Sequence, residues 1–163
     1  MTRPPLARVV VTGLVMLVLA GLVVTVGVGT RVRDARELAD QRADAVAQAR
    51  QLATNFVTLD YTTFDHDVQL VLDGSTGAFR DQFRAGVQQT RELVTRNRSV
   101  STGTVTQAAL VRGDDDSARV LLVVDTEVTN AASPQPSPRN YRVELDLRRT
   151  GDRWLASDLR FVG

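Results

Sequence analysis

The sequence predicts an α+β domain carried on a membrane-spanning helix, and three observations make that prediction. A stretch of 21 residues near the N-terminus holds no charge. Apolar side chains then recur with the period of a helix as far as Asn97, and beyond it with a period of two. Helices ahead of a run of strands is the α+β order, in which helices cover the apolar face of an antiparallel sheet. Four strands are expected, joined as a plain meander whose connections are short apart from one proline-rich loop.

The uncharged stretch is Val9 to Gly29, VVVTGLVMLVLAGLVVTVGVG. At ~1.5 Å of rise per residue such a helix is roughly 31 Å long, about the thickness of a bilayer's hydrocarbon core. Every backbone N–H and C=O in lipid must find its partner inside the segment, which makes a helix the sensible state. The apolar part of a cleaved signal peptide is shorter, roughly 7–15 residues. Gly21, Thr25 and Gly29 recur at every fourth position, a small-residue face on which another membrane helix can pack. The expected layout is a short tail over 1–8, where Pro4-Pro5 discourages helix, a membrane helix over 9–29, a helical stalk over 30–50 and a domain over 51–163. Arg3 and Arg8 precede the span, while Arg31, Arg33, Arg36 and Arg42 follow it. Arginine counting therefore does not decide the orientation.

Composition excludes several functions. A net charge of +1 gives no electrostatic case for nucleic acid. With no cysteine, disulfides, thiolate catalysis and cysteine-held metals are ruled out. All 20 basic residues are arginine and isoleucine is absent, which fits the codon usage of a GC-rich genome such as an actinobacterium's.

From Asp34 to Tyr61 the chain has no Gly or Pro and is rich in Ala, Arg, Gln and Leu, all good helix formers. Ala45, Ala49, Leu52, Phe56 and Leu59 form one apolar stripe that strengthens toward Phe56. A short helix is expected over 67–72, capped by Thr63 or Asp65 and ended by Gly74. Ser75 or Thr76 then offers a cap for a further helix with Phe79, Phe83, Val87, Thr90 and Val94 along one face. Strands follow over 100–112, 118–130, 141–148 and 154–162. In the second, Val120, Leu122, Val124 and Val128 share a face that Thr126 interrupts. The stretch 131–139, AASPQPSPR, reads as loop because three prolines cannot serve a central strand.

Chemistry is sparse along this chain. His66, the only histidine, lies between Asp65 and Asp67, but a metal site needs three or four converging donors. Neighbours on a helix point about 100° apart, so a solvated helix start is the expectation. Asp114-Asp115-Asp116 lacks the spacing and terminal Glu of a calcium loop and reads as a hairpin turn. Asp125 and Glu127 share a strand face, as a glycosidase pair could, yet an ion pair with Arg142 or Arg148 across the sheet is the plainer expectation. Trp154 follows a turn and is expected to close the core. No catalytic residue, metal or cofactor is expected.

Several of these residues together resemble the Mce-associated membrane proteins of actinobacteria, small single-pass accessories of the Mce lipid-import systems. The resemblance covers nearly the whole chain. It rests on the N-terminal anchor, Leu59-Asp60-Tyr61 at a helix end, and Thr76-Gly77-Ala78-Phe79 opening a helix. It continues with Val123-Val124-Asp125 through Val128-Thr129-Asn130 on a strand, and Trp154-Leu155-Ala156-Ser157-Asp158-Leu159 at the end. Thr126 departs from the more usual Gln, and the prolines after Asn130 are idiosyncratic.

The resemblance implies a cone of the nuclear-transport-factor type, on a curved four-stranded sheet, similar also to periplasmic assembly factors of type IV secretion. It implies a mainly structural role for Tyr61, Thr76, Gly77, Phe79, Asp125, Asn130, Trp154 and Asp158. It further implies an N-terminus inside the cytoplasmic membrane and a domain outside it. The partners implied are the membrane, subunits of an Mce complex, and lipid. The expected function is a non-enzymatic subunit that stabilises or positions an Mce-type lipid or sterol import complex. The alternatives are a ligand-binding or enzymatic cone, and an assembly factor like those of type IV secretion. An apolar filling between helices and sheet would favour the accessory; a polar constellation there would favour chemistry.

Overall fold

The computed structural model describes residues 37–163. The expected membrane helix over 9–29, with its Gly21, Thr25 and Gly29 face, lies outside them, as do the tail 1–8 and the first residues of the stalk. Among the described residues no helix is long and apolar enough to cross a membrane. Residues Gln41–Gly163 form one compact unit.

Helix α1 covers residues 37–57. The first part of its stripe, Ala45, Ala49 and Leu52, packs in one cluster with the sheet, and Ala45 and Ala49 are completely buried. Packing begins at Ala45, inside the segment 30–50 read as a helical stalk. Alanine carries little apolar signal, yet its small side chain lets a helix come close to a sheet. The helix was expected to continue to Tyr61. It stops at residue 57, and the carbonyl of Val57 accepts a hydrogen bond from Ser101 Oγ at 2.7 Å.

Beyond this end, Leu59–Asp60 form strand β1, which pairs antiparallel with the start of β2 through Leu59↔Ser101 and Asp60↔Val100. The sheet thus has five strands and not the expected four. Two residues are too few to show a period, so β1 merged with the helix before it.

Helix α2 spans Phe64–Asp73, longer at its start than expected. Its N-cap Thr63 makes no capping bond with its side chain. Asp67 reaches back instead, accepting from the Asp60 N–H at 2.9 Å and from Thr63 Oγ1 at 3.1 Å. Helix α3 spans Gly77–Asn97 and closes on Arg98, whose φ of 48° is left-handed. The Ser99 N–H then bonds the Val94 carbonyl at 2.9 Å, satisfying a terminal acceptor.

Strands β2 (Val100–Gly113), β3 (Ser117–Thr129), β4 (Ser137–Thr150) and β5 (Arg153–Phe161) complete a sheet in chain order, antiparallel throughout. The inward side chains of β3 and β4 are almost wholly buried: Val120, Leu122 and Val124 with Val143, Leu145 and Leu147. Alternation along these strands is the pattern of a half-buried sheet. Trp154 and Ala156 of β5 join them, and Ala45, Ala49, Leu52 and Ala53 of α1 fill the space above. A second cluster, Phe64, Val68, Leu72 and Val94, binds α2 to α3.

Two glycines allow the close approaches. A Cβ on Gly103 of β2 would stand 2.0 Å from Val57 Cγ2, and one on Gly74 would stand 1.9 Å from Leu52 Cδ2. Thr126, the residue that interrupts the apolar face of β3, is itself buried, with 4% exposure. Pro138 belongs to β4 and not to the loop. It faces Glu127 of β3, and β5 does not join β4 until Val143, so the side lacking an N–H is open.

Candidate functional site

The helix start around His66 gathers no site. His66 and Asp65 are exposed, and Asp65 does not cap the helix but forms a two-pronged ion pair with Arg91 of α3. The bonds from Arg91 hold the Asp65 carboxyl below its ordinary value. The Arg91 guanidinium also stacks over the Phe64 ring, 4.8 Å from its centroid. Asp67 is engaged with Thr63 and Asp60. Asp65 and Asp67 thus serve separate contacts, and His66 stands exposed between them.

The run Asp114-Asp115-Asp116 is the β2–β3 turn. Asp114 folds back on it, with Oδ1 accepting from the N–H groups of Asp116 and Ser117, and Oδ2 from Ser117 Oγ at 2.9 Å. These bonds lower its carboxyl's affinity for a proton. Asp125 and Glu127 are exposed on β3. The strand register places Asn140 opposite Asp125, and its amide donates at 2.6 Å. Arg142 stands opposite Val123, and Arg148 opposite Ser117, so the expected ion pairs with them do not form.

The charge pairing of the sheet is found elsewhere. Arg119 of β3 grips Asp146 of β4 at 2.6 and 2.8 Å, and Arg160 of β5 bridges Glu144, Asp146 and Asp158. The hydrogen bonds from Arg119 hold the Asp146 carboxyl below its ordinary value. Partial burial opposes them, and the charges of Arg119, Arg160 and Arg112 assist. Alternation in the sequence showed which residues face outward, but only the register shows who meets whom.

The positions on which the resemblance rests are spread over several separate contacts. Tyr61 ties β1 to the end of α3 through its N–H to the Ser99 carbonyl, and Thr76 ties α3 to β5 through its N–H to Ala156. Gly77 takes a φ of 58° at the helix start. Asn130 turns the chain after β3 by accepting from Ala132 and Ser133. Trp154 is buried at 5% exposure, and Asp158 pairs with Arg160.

What these motifs did not reveal is a groove. It is a 310 Å³ cleft walled by the end of α1 with β1 (Asn55, Phe56, Leu59), by α2 (Phe64, Asp67, Val68, Val71) and by α3 (Gln82, Phe83, Gly86, Val87, Thr90). Its one signal in the sequence is the α3 stripe, of which Phe83 and Val87 line the cleft and stay only half-buried. Phe56 stands 6.1 Å from Phe79 and 6.0 Å from Phe83, ring to ring. The aromatic contacts continue to Phe161 and Tyr141 at the sheet's edge, where Phe161 is 58% exposed.

A family model described as "Uncharacterized protein Rv1363c/MT1408-like" matches residues 6–163. The chain belongs to that family. The Rv1363c protein of Mycobacterium tuberculosis (strain ATCC 25618 / H37Rv) is 32% identical over 129 residues, covering 79% of this chain. The match takes in 49% of that relative, so this member of the Rv1363c/MT1408-like family spans about half its length.

Solved structures give the fold. An IcmL-like type IV secretion system protein from Legionella pneumophila subsp. pneumophila str. Philadelphia 1 superposes with a TM-score of 0.62 at 14% identity, covering 74% of this chain and 91% of the other. The periplasmic domain of DotI gives 0.60 at 16% identity, over 72% and 91%. An Ntf2-like protein involved in plasmid conjugation gives 0.52 at 10% identity, over 76% and 49%. The expected nuclear-transport-factor-like fold is therefore present, on five strands.

Proposed function

We propose that this Rv1363c/MT1408-like protein is a non-enzymatic accessory subunit, held in the cytoplasmic membrane by residues 9–29 with its domain outside. In this reading it stabilises or positions an Mce-type lipid or sterol import complex. The observation that carries the proposal is the filling of the sheet's inner face. Alanines and Leu52 of α1 meet Val120, Leu122, Val124, Val143, Leu145, Leu147 and Trp154 there, and the only buried polar residues described are Ser75 and Thr126. Ser75 Oγ already donates to the Leu72 carbonyl, and Thr126 Oγ1 to that of Arg139. Acid–base or nucleophilic chemistry needs convergent polar groups at a cleft, and this interior offers side chains for packing instead.

The fold neighbours favour a second reading, in which the domain is an assembly factor of an envelope machine, like the secretion proteins it superposes on. Both readings give the domain a scaffolding role and differ in the partner. Purification of the full chain from digitonin-solubilised membranes, with quantification of what accompanies it, separates them. Mce transporter subunits in near-stoichiometric amount are the expected result. Secretion-machine subunits would transfer the proposal to the second reading. A chain recovered alone, even after cross-linking in intact cells, would sink both.

A further inference from the structure

We propose that the groove between α1, α2 and α3 binds a single unbranched alkyl chain, the hydrocarbon part of a lipid. The inference deepens the lipid-transport reading, although its physical basis is the groove itself. The first observation is Gly86, in the middle of the 21-residue helix α3. Glycine inside a helix is destabilising relative to alanine. It is tolerated where something needs the space, yet a Cβ on Gly86 would meet nothing within 4 Å. No packing partner among the described residues requires the glycine, and it lines the groove. Its bare backbone keeps one wall open.

The second observation is the state of the lining. Phe56, Leu59, Phe83 and Val87 offer apolar surface that folding leaves half-exposed. The polar lining is largely spoken for. Asp67 accepts from Asp60 and Thr63, Asn55 accepts from Gln51, and Thr90 donates to the Gly86 carbonyl. Recognition here rests on apolar contact and not on a set of hydrogen bonds.

The third is size. The cleft measures 310 Å³, at the small end of the range for small-ligand pockets. That volume suits one thin chain and is small for a partner helix, which is about 10 Å across with its side chains.

The test uses the full chain kept soluble in digitonin, which has no alkyl chain to compete. The probe is 11-(dansylamino)undecanoic acid, whose fluorescence rises when it leaves water. Saturable enhancement at one probe per chain is expected, with Gly86→Leu weakening it at least tenfold and Gly86→Ala weakening it less. Thr90→Phe, at an exposed position of the lining, should weaken it as well and guards against a misfolded leucine variant. Dodecanoate and dodecanoyl-lysophosphatidylcholine serve as competitors. Displacement by both assigns recognition to the chain alone; displacement by dodecanoate alone assigns the source to free fatty acid. Either supports the proposal. Absence of saturable enhancement, or equal enhancement in folded Gly86→Leu and Thr90→Phe, would overturn it. An amphipathic helical peptide that displaces the probe better than either lipid would make the groove a protein-docking site. None of these results depends on which complex co-purifies with the chain.

Discussion

Trp154 and Asp146 stand on opposite faces of the sheet, and each makes a measurable claim. The Trp154 ring lies in the main cluster with 5% exposure. Trp154→Ala should cost about 3–5 kcal/mol, the usual loss for a large buried aromatic, in denaturant unfolding. Asp146 tests the ion pairs. Its carboxyl is held below the ordinary value, first by the hydrogen bonds of Arg119. A group depressed in the folded state binds its proton more readily when unfolded. Its contribution is therefore complete above the unfolded pKa of ~3.9 and is lost as pH falls through the lower folded value. Between pH 5 and pH 2 the unfolding midpoint of the natural chain should fall more steeply than that of Asp146→Asn. Parallel curves would mean that the Arg119 contact does not persist in solution.

At the scale of elements, the crossing of α1 over β2 depends on one missing side chain. The neighbour a Cβ on Gly103 would strike is Val57, a β-branched residue with little rotamer freedom, whereas Gly74 faces the flexible end of Leu52. Gly103→Ala should destabilise by about 1–3 kcal/mol, the range for overpacking, and by more than Gly74→Ala at the same pH. Gly86→Ala should instead raise the melting temperature, since its new methyl meets open space. These elements also show what could be read in advance. Strands β3 and β4 and helix α3 were legible because Val120 to Val124, Tyr141 to Leu147 and Phe79 to Val94 carry long, regular patterns. Strand β1 was not, since pairing with Ser101 and Val100 across about 40 residues leaves no local trace. The groove stayed hidden for a related reason. A stripe of Phe and Val predicts burial, and only the placement of α2 beside α3 shows that burial is incomplete. The ion pairs needed the register of β3 on β4 and of β4 on β5, which no residue count along a single strand supplies, and the β4–β5 register also shifts after Asp146.

For the molecule as a whole, the proposal of an exported domain on a membrane anchor is open to a direct assay. A reporter active only outside the cytoplasm, fused after Gly163, should be active, and a cytoplasm-only reporter at the same place should be silent. The reverse pattern would put the domain inside and remove the basis for an envelope partner. The chain-order sheet has a further consequence, for the path of folding. From β2 to β5 each strand pairs with the next along the chain, so the sheet can close by hairpins, while α1 must find it across a long separation. Contacts that close short loops form early and distant ones pay their entropy late. Enlarging Ala45 or Ala49 should consequently speed unfolding and leave the refolding rate nearly unchanged in stopped-flow measurements. The helix laid over the sheet would then be the last piece to arrive and the first to leave.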